Sequence, residues 1–239
     1  MTTDANTSKP TVKDLLSRPA DEIVQLLGGI YEHSPWVAEG LVAKLESNSS
    51  NDGANEKNGM ETVSALAVAM RDIVDASPAK RKLELLRAHP DLCHKVGKLK
   101  DLTEESQEEQ SRAGLQSLTD DELERFNKFN AQYRERFDFP FILAVRNATK
   151  HTVLAALQGR VSNTVEDETV CAIAQVHKIA WMRLLAALDT SDAKGFLTCH
   201  VLDTANGCPG EYNVHARNKR ETERETNHLS LRCCVCCFV

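Results

Sequence analysis

Apolar residues recur at intervals of three and four along most of this chain, a spacing that predicts helices. Ser17-Arg18-Pro19, followed by Asp21 and Glu22, opens one helix with Ile23, Leu26, Leu27 and Ile30 on a single face. A second helix follows Pro35, and another carries Val63, Leu66, Ala67, Met70, Ile73 and Val74. Ser77-Pro78 starts the next, through Leu83, Leu85 and Leu86. Thr119 with Glu122 three positions on is a capping-box signature, and the helix it begins turns Leu123, Phe126, Phe129, Asn130 and Tyr133 inward. A long last helix is expected from Glu166 to Leu188, burying Val170, Ile173, Ala174, His177, Trp181, Leu184 and Leu188.

Two stretches depart from this pattern. "ESNSSNDGANEKNG", 46–59, holds almost nothing apolar and reads as a flexible loop. "FPFILAV", 139–145, is continuously apolar, carries a proline and is too short for an ordinary helix, so it is expected to be extended and buried. No partner strand is evident, so its amides need other partners, and a polar ligand is one possibility. The expected fold is all-α, a compact multi-helix domain over 1–188 with one short extended buried segment. Residues 189–239 are expected to form a linker and a largely disordered tail.

Composition narrows the function. Of 239 residues, 41% are apolar and 27% charged, and the formal net charge is -6. That balance suits a globular domain and supplies no concentrated basic face for nucleic acid or an anionic membrane. The start "MTTDANTSKP" lacks the charged-then-apolar design of a secretory signal, and an intracellular protein is expected. Cys93, Cys171, Cys199 and Cys208 are scattered while Cys233, Cys234, Cys236 and Cys237 crowd the end, which is no disulfide framework. GxSxG, Walker A and GxGxxG patterns are absent, so no nucleotide cofactor is indicated.

The candidate chemistry lies in a few polar residues. His89 precedes Pro90, which disfavours α geometry, so the helix through Leu86 should end there and leave the imidazole at a boundary. It reads either as a surface or capping residue, or as a side chain turned into a cleft. Ser106, Glu109, Gln110 and Ala113 share one helix face, beside Gly114. That face is equally well a solvated helix start or a pocket wall. Arg183, among the apolar residues of "KIAWMRLLAAL", needs a carboxylate from the protein or a ligand, unless it reaches out to solvent. His33 and His177 belong to no metal-binding spacing and are read as core or surface residues.

Taken in order, "YEHSPWVAE", "HPDL", "SQEEQSRAGL", "FNAQYRERFDFPFILAVR", "RVSN" and "VHKIAWMRL" resemble the 2-oxo-4-hydroxy-4-carboxy-5-ureidoimidazoline (OHCU) decarboxylase family, over about residues 12–188. The resemblance implies an all-α lyase, usually a homodimer, that uses neither cofactor nor metal and forms (S)-allantoin downstream of urate oxidation. By position it implies that His89 is catalytic and that Pro90 lines the same pocket. Ser106, Gln107, Glu108, Glu109 and Gln110 would contact substrate, with Glu109 the important acid. The backbone of Phe141, Ile142, Leu143, Ala144 and Val145 would bind it too, and Arg183 would anchor an anion or hold Glu109. His89 would then be the general acid/base.

Two departures qualify the resemblance. Asp138 stands where the family usually has glycine in "RFGFPF", which costs strain if that position needs positive φ. "LTCHVLDTANGCP", 197–209, resembles the opening of a transthyretin-like hydroxyisourate hydrolase, but too little chain follows to complete that module, so no hydrolase activity is expected. The pathway suggests a peroxisomal or cytoplasmic protein, although "CFV" is no peroxisomal tripeptide. A catalytically idle helical binding or dimerisation module is the competing reading.

Overall fold

The fold was obtained as a computed structural model, which describes residues 9–49, 60–92, 117–146 and 148–191 and the short segments 202–203 and 208–209. Among these residues the chain forms α1 (Val12–Leu16), α2 (Ala20–Leu27), α3 (Trp36–Ser49), α4 (Val63–Asp75), α5 (Ala79–Arg87), α6 (Asp120–Phe137), α7 (Lys150–Arg160) and α8 (Val165–Ala187). The helices belong to one compact unit; in a second, Leu202–Asp203 (β1) pairs antiparallel with Cys208–Pro209 (β2). Residues 106–110 and the tail from 233 lie outside the described residues.

Local chemistry sets most helix ends. Thr119 and Glu122 close the expected capping box at α6, each side chain taking the other's backbone amide. Thr62, Thr149 and Thr164 cap α4, α7 and α8 in the same way from the threonine side. At α2 the N-cap position belongs to Pro19, while the Ser17 hydroxyl instead donates to the Asp14 carbonyl and closes α1. Two helices were not anticipated: α1, which has its own Thr11–Asp14 capping box, and α7. Helix α3 also runs to Ser49, past the Glu46 expected to open a loop.

The bundle is built around α8, which packs against α4, α5 and α6, while α3 bridges α2 and α4. Gly40 on α3 permits the last of these approaches, since a Cβ there would sit 3.0 Å from Ile73 Cγ2 on α4. Helix α8 meets the length and composition of a membrane span, yet half of its most apolar window is buried within the fold. The expected face is only partly the buried one: Ile173, Leu184 and Leu188 are buried and His177 and Trp181 half-buried, as expected. Val170 is 72% exposed and Ala174 also faces out, while Glu168, Ala172, Gln175, Val176, Ile179 and Arg183 are buried. Apolar residues surround α8 nearly all the way round, so periodicity could not fix the face; the buried polar residues did, because each has a partner inside.

Residues 139–145 are buried and lie outside both helix and sheet, as expected. Aromatic stacking fixes them to α6, with Tyr133 edge-on to Phe139 and Phe141 at 5.9 and 5.2 Å between ring centroids. The chain enters this segment through Asp138, which holds φ 61° and ψ 23° in the left-handed region where glycine is favoured. Asp138 is secured from α5: Arg87 Nε donates to its carbonyl at 3.1 Å, and the guanidinium pairs with its carboxylate. Glycine would relieve about 1 kcal/mol of left-handed strain, and losing an exposed ion pair costs about 0–1 kcal/mol. Asp138→Gly should therefore change unfolding free energy by no more than about 1 kcal/mol in either direction; a larger loss in urea denaturation would show that the Arg87 tie matters more.

Candidate functional site

The end of α5 follows from Pro90. A proline has no amide proton, so the Leu86 carbonyl loses its ordinary helical donor and takes the amide of His89 instead, at 3.3 Å. That leaves the Leu85 carbonyl open, and His89 Nδ1 fills it at 2.9 Å. A carbonyl only accepts, so Nδ1 carries the proton and a neutral ring keeps its lone pair on Nε2. The residue is 6% exposed. Burial pushes its pKa below the ordinary 6.5, outweighing the Leu85 carbonyl and the charge of Glu32, which favour the cation; Arg183 and His33 add to the downward shift. The result is a neutral imidazole with a fixed tautomer, suited to accept a proton at Nε2.

The buried segment 139–145 is held by side chains where a sheet would have used backbone. Arg160, the last residue of α7, donates to the Ile142 carbonyl at 2.8 Å, and Gln175 of α8 accepts from the Ala144 amide at 3.1 Å. Among the described residues the amides of Leu143 and Val145 donate to nothing. Arg160 is itself fixed by Glu168 through Nε at 3.0 Å and a second nitrogen at 2.5 Å, and lies over the Phe141 ring at 4.7 Å. Glu168 also accepts from the Tyr133 hydroxyl and, at 2.7 Å, from Asn163. Burial opposes charge on Arg160, but Glu168 outweighs it and moves the guanidinium pKa up.

A second buried ion pair lies at the turn after α2. Arg183 reaches Glu32 at 2.5 Å and the Gly29 carbonyl at 3.3 Å. The carboxylate expected for Arg183 is therefore supplied by Glu32; any contact with Glu109 falls outside the described residues. Beside it, Tyr31 donates to His177 Nδ1 at 3.0 Å while His177 Nε2 donates to Asp75 at 3.1 Å. Burial lowers the His177 pKa despite Asp75, which keeps the ring neutral in this chain of bonds.

Of the expected site residues, His89, Pro90, 141–145 and Arg183 are described, and the charge of Arg183 is felt at His89. Ser106, Gln107, Glu108, Glu109 and Gln110 are outside the described residues. Glu32, Arg160, Glu168 and Gln175 were missed. Arg160 opens the "RVSN" motif and Gln175 interrupts an apolar run, which were usable signals. Glu168 sits in an acidic first turn and looks like an ordinary helix-dipole residue.

A buried neutral histidine, a buried segment outside any sheet and internal ion pairs in one all-helical unit make these residues the candidate site. Residues 17–185 match the family model described as OHCU decarboxylase. The chain is 38% identical over 164 residues to the 2-oxo-4-hydroxy-4-carboxy-5-ureidoimidazoline decarboxylase of Haloferax volcanii, covering 69% of this chain and 88% of that one. It is 36% identical over 163 residues to the mouse (Mus musculus) protein of the same name, covering 68% and 84%. A crystal structure of (S)-allantoin synthase superposes with TM-score 0.63 at 58% identity, covering 84% of this chain and 61% of that one. The chain belongs to the OHCU decarboxylase family.

Arg160→Met leaves Glu168 without its cation, and a broken buried pair should cost roughly 3–5 kcal/mol of stability in urea denaturation. Arg160→Met combined with Glu168→Leu should recover part of that loss. A single variant within 1 kcal/mol of wild type, on the order of an exposed pair, would contradict the burial account.

Proposed function

We propose that this chain is a cofactor-free carboxy-lyase that converts 2-oxo-4-hydroxy-4-carboxy-5-ureidoimidazoline to (S)-allantoin in urate degradation. The observation that carries the reading is the neutral His89, with Nδ1 tied to Leu85 and Nε2 left as the proton-accepting atom, in a chain of this family. Carbon dioxide leaves ring carbon 4, and its bond pair forms a double bond to carbon 5 as the double bond between carbon 5 and the ring nitrogen opens onto that nitrogen, which takes a proton from water. The 4-hydroxyl then gives up its proton, carbon 4 becomes a carbonyl, and carbon 5 is protonated on one face. The substrate's own unsaturation absorbs the electrons, so the protein has to orient groups and move protons.

His89 Nε2 accepts the hydroxyl proton and returns it to carbon 5. Glu109, within the substrate-contacting stretch Ser106–Gln110, holds ring or ureido N–H groups. The amides of Leu143 and Val145 face the developing oxygen charge, supported by the hold of Arg160 on Ile142 and of Gln175 on Ala144. Arg183 attracts the substrate carboxylate before it leaves. The same reading includes a homodimer, and residues 197–209 as the start of a transthyretin-like module.

Replacing His89 with Asn removes the proton acceptor while keeping a polar side chain. His89→Asn should lower stereospecific allantoin formation from freshly generated substrate by roughly 10²- to 10⁴-fold. Unchanged activity would remove the mechanism and favour an idle binding module.

A further inference from the structure

The turn 28–35 between α2 and α3 carries features that packing alone does not explain. Glu32 is 3% exposed and holds φ 52°, a left-handed conformation unfavourable for a residue with a side chain. A buried carboxylate paired with a buried guanidinium is no more stable than well-packed apolar residues of similar size, so stability does not account for it. Strain of this kind tends to collect at working sites. The turn is also tied to α8 twice, by Glu32 to Arg183 and by Tyr31 to His177, whose other nitrogen reaches Asp75 on α4. Both charges of the Glu32–Arg183 pair act on His89.

We infer that Glu32 is a positioning residue of the decarboxylase site, fixing the Arg183 guanidinium through their buried ion pair. The inference rests on the reading of His89 as the proton-handling group. The guanidinium presents several donors in a rigid plane. One guanidinium nitrogen of Arg183 is held by both Glu32 and the Gly29 carbonyl, which fixes where the group sits. The groups acting on the imidazole are Glu32 and His33 from the turn, Arg183 from α8 and the Leu85 carbonyl from its own helix. Glu32 is the anion among them, so removing its charge makes His89 harder to protonate.

The test is kcat and kcat/KM across pH for the full chain, with Glu32→Gln, Glu32→Asp and His89→Asn, each first checked for folding by circular dichroism. Glu32→Gln should lose roughly 10- to 100-fold in kcat/KM through misplacement of Arg183. Its acid limb should also move to lower pH, which a purely structural role would not produce. Glu32→Asp keeps the charge but withdraws it from Arg183, so activity should fall several-fold while the acid limb stays in place. A folded Glu32→Gln with wild-type kinetics and acid limb overturns the inference; if that variant does not fold, wild-type kcat/KM in Glu32→Asp does so. Full activity in His89→Asn would instead overturn the reading on which it rests.

Discussion

One hydrogen bond, from His89 Nδ1 to the Leu85 carbonyl, fixes the imidazole on which the proposed chemistry depends. It exists because Pro90 cannot donate, so the last turn of α5 tightens and leaves a carbonyl that only a side chain can reach. The bond settles which nitrogen carries the proton, and burial settles that the ring is neutral. Had the imidazole been solvated at this helix end, the negative end of the helix dipole would have favoured its cation. Desolvation wins, and the ring's pKa lies below the ordinary 6.5.

The remaining polar groups of the core fall into two sets. Arg160, Glu168, Tyr133, Asn163 and Gln175 serve the segment 139–145, satisfying its backbone from one direction. Glu32, Arg183, Tyr31, His177 and Asp75 serve the turn after α2. Both sets involve α8, which supplies Glu168 and Gln175 to one and His177 and Arg183 to the other. Buried ion pairs of this kind gain little net stability, and their use here is to specify where backbone and guanidinium groups sit. The helix at the middle of the fold thus anchors both buried polar networks.

How far the sequence could be read depends on what each feature rests upon. Capping by Thr119 and the stop imposed by Pro90 are local, and both were legible because the atoms involved lie within a few residues. The buried non-helical segment was legible from its length and its proline, and the cost of Asp138 from the one left-handed backbone position it occupies. The inward face of α8 was only partly legible: Ile173, Leu184 and Leu188 are buried as its spacing implies, but Glu168, Gln175 and Arg183 are drawn in by partners on other elements. The partner of Arg183 was equally hidden, because Glu32 lies 151 positions away and looks like one more surface acid.

The central claim is that His89 is neutral, with its proton on Nδ1 and its lone pair on Nε2. Nitrogen-15 spectroscopy of imidazole-labelled protein, with His89 assigned by its absence in His89→Asn, reads this directly. At neutral pH the account predicts a protonated, pyrrole-type Nδ1 and an unprotonated, pyridine-type Nε2 that resists protonation below the ordinary 6.5. A proton on Nε2 instead, or an imidazolium at neutral pH, would contradict it.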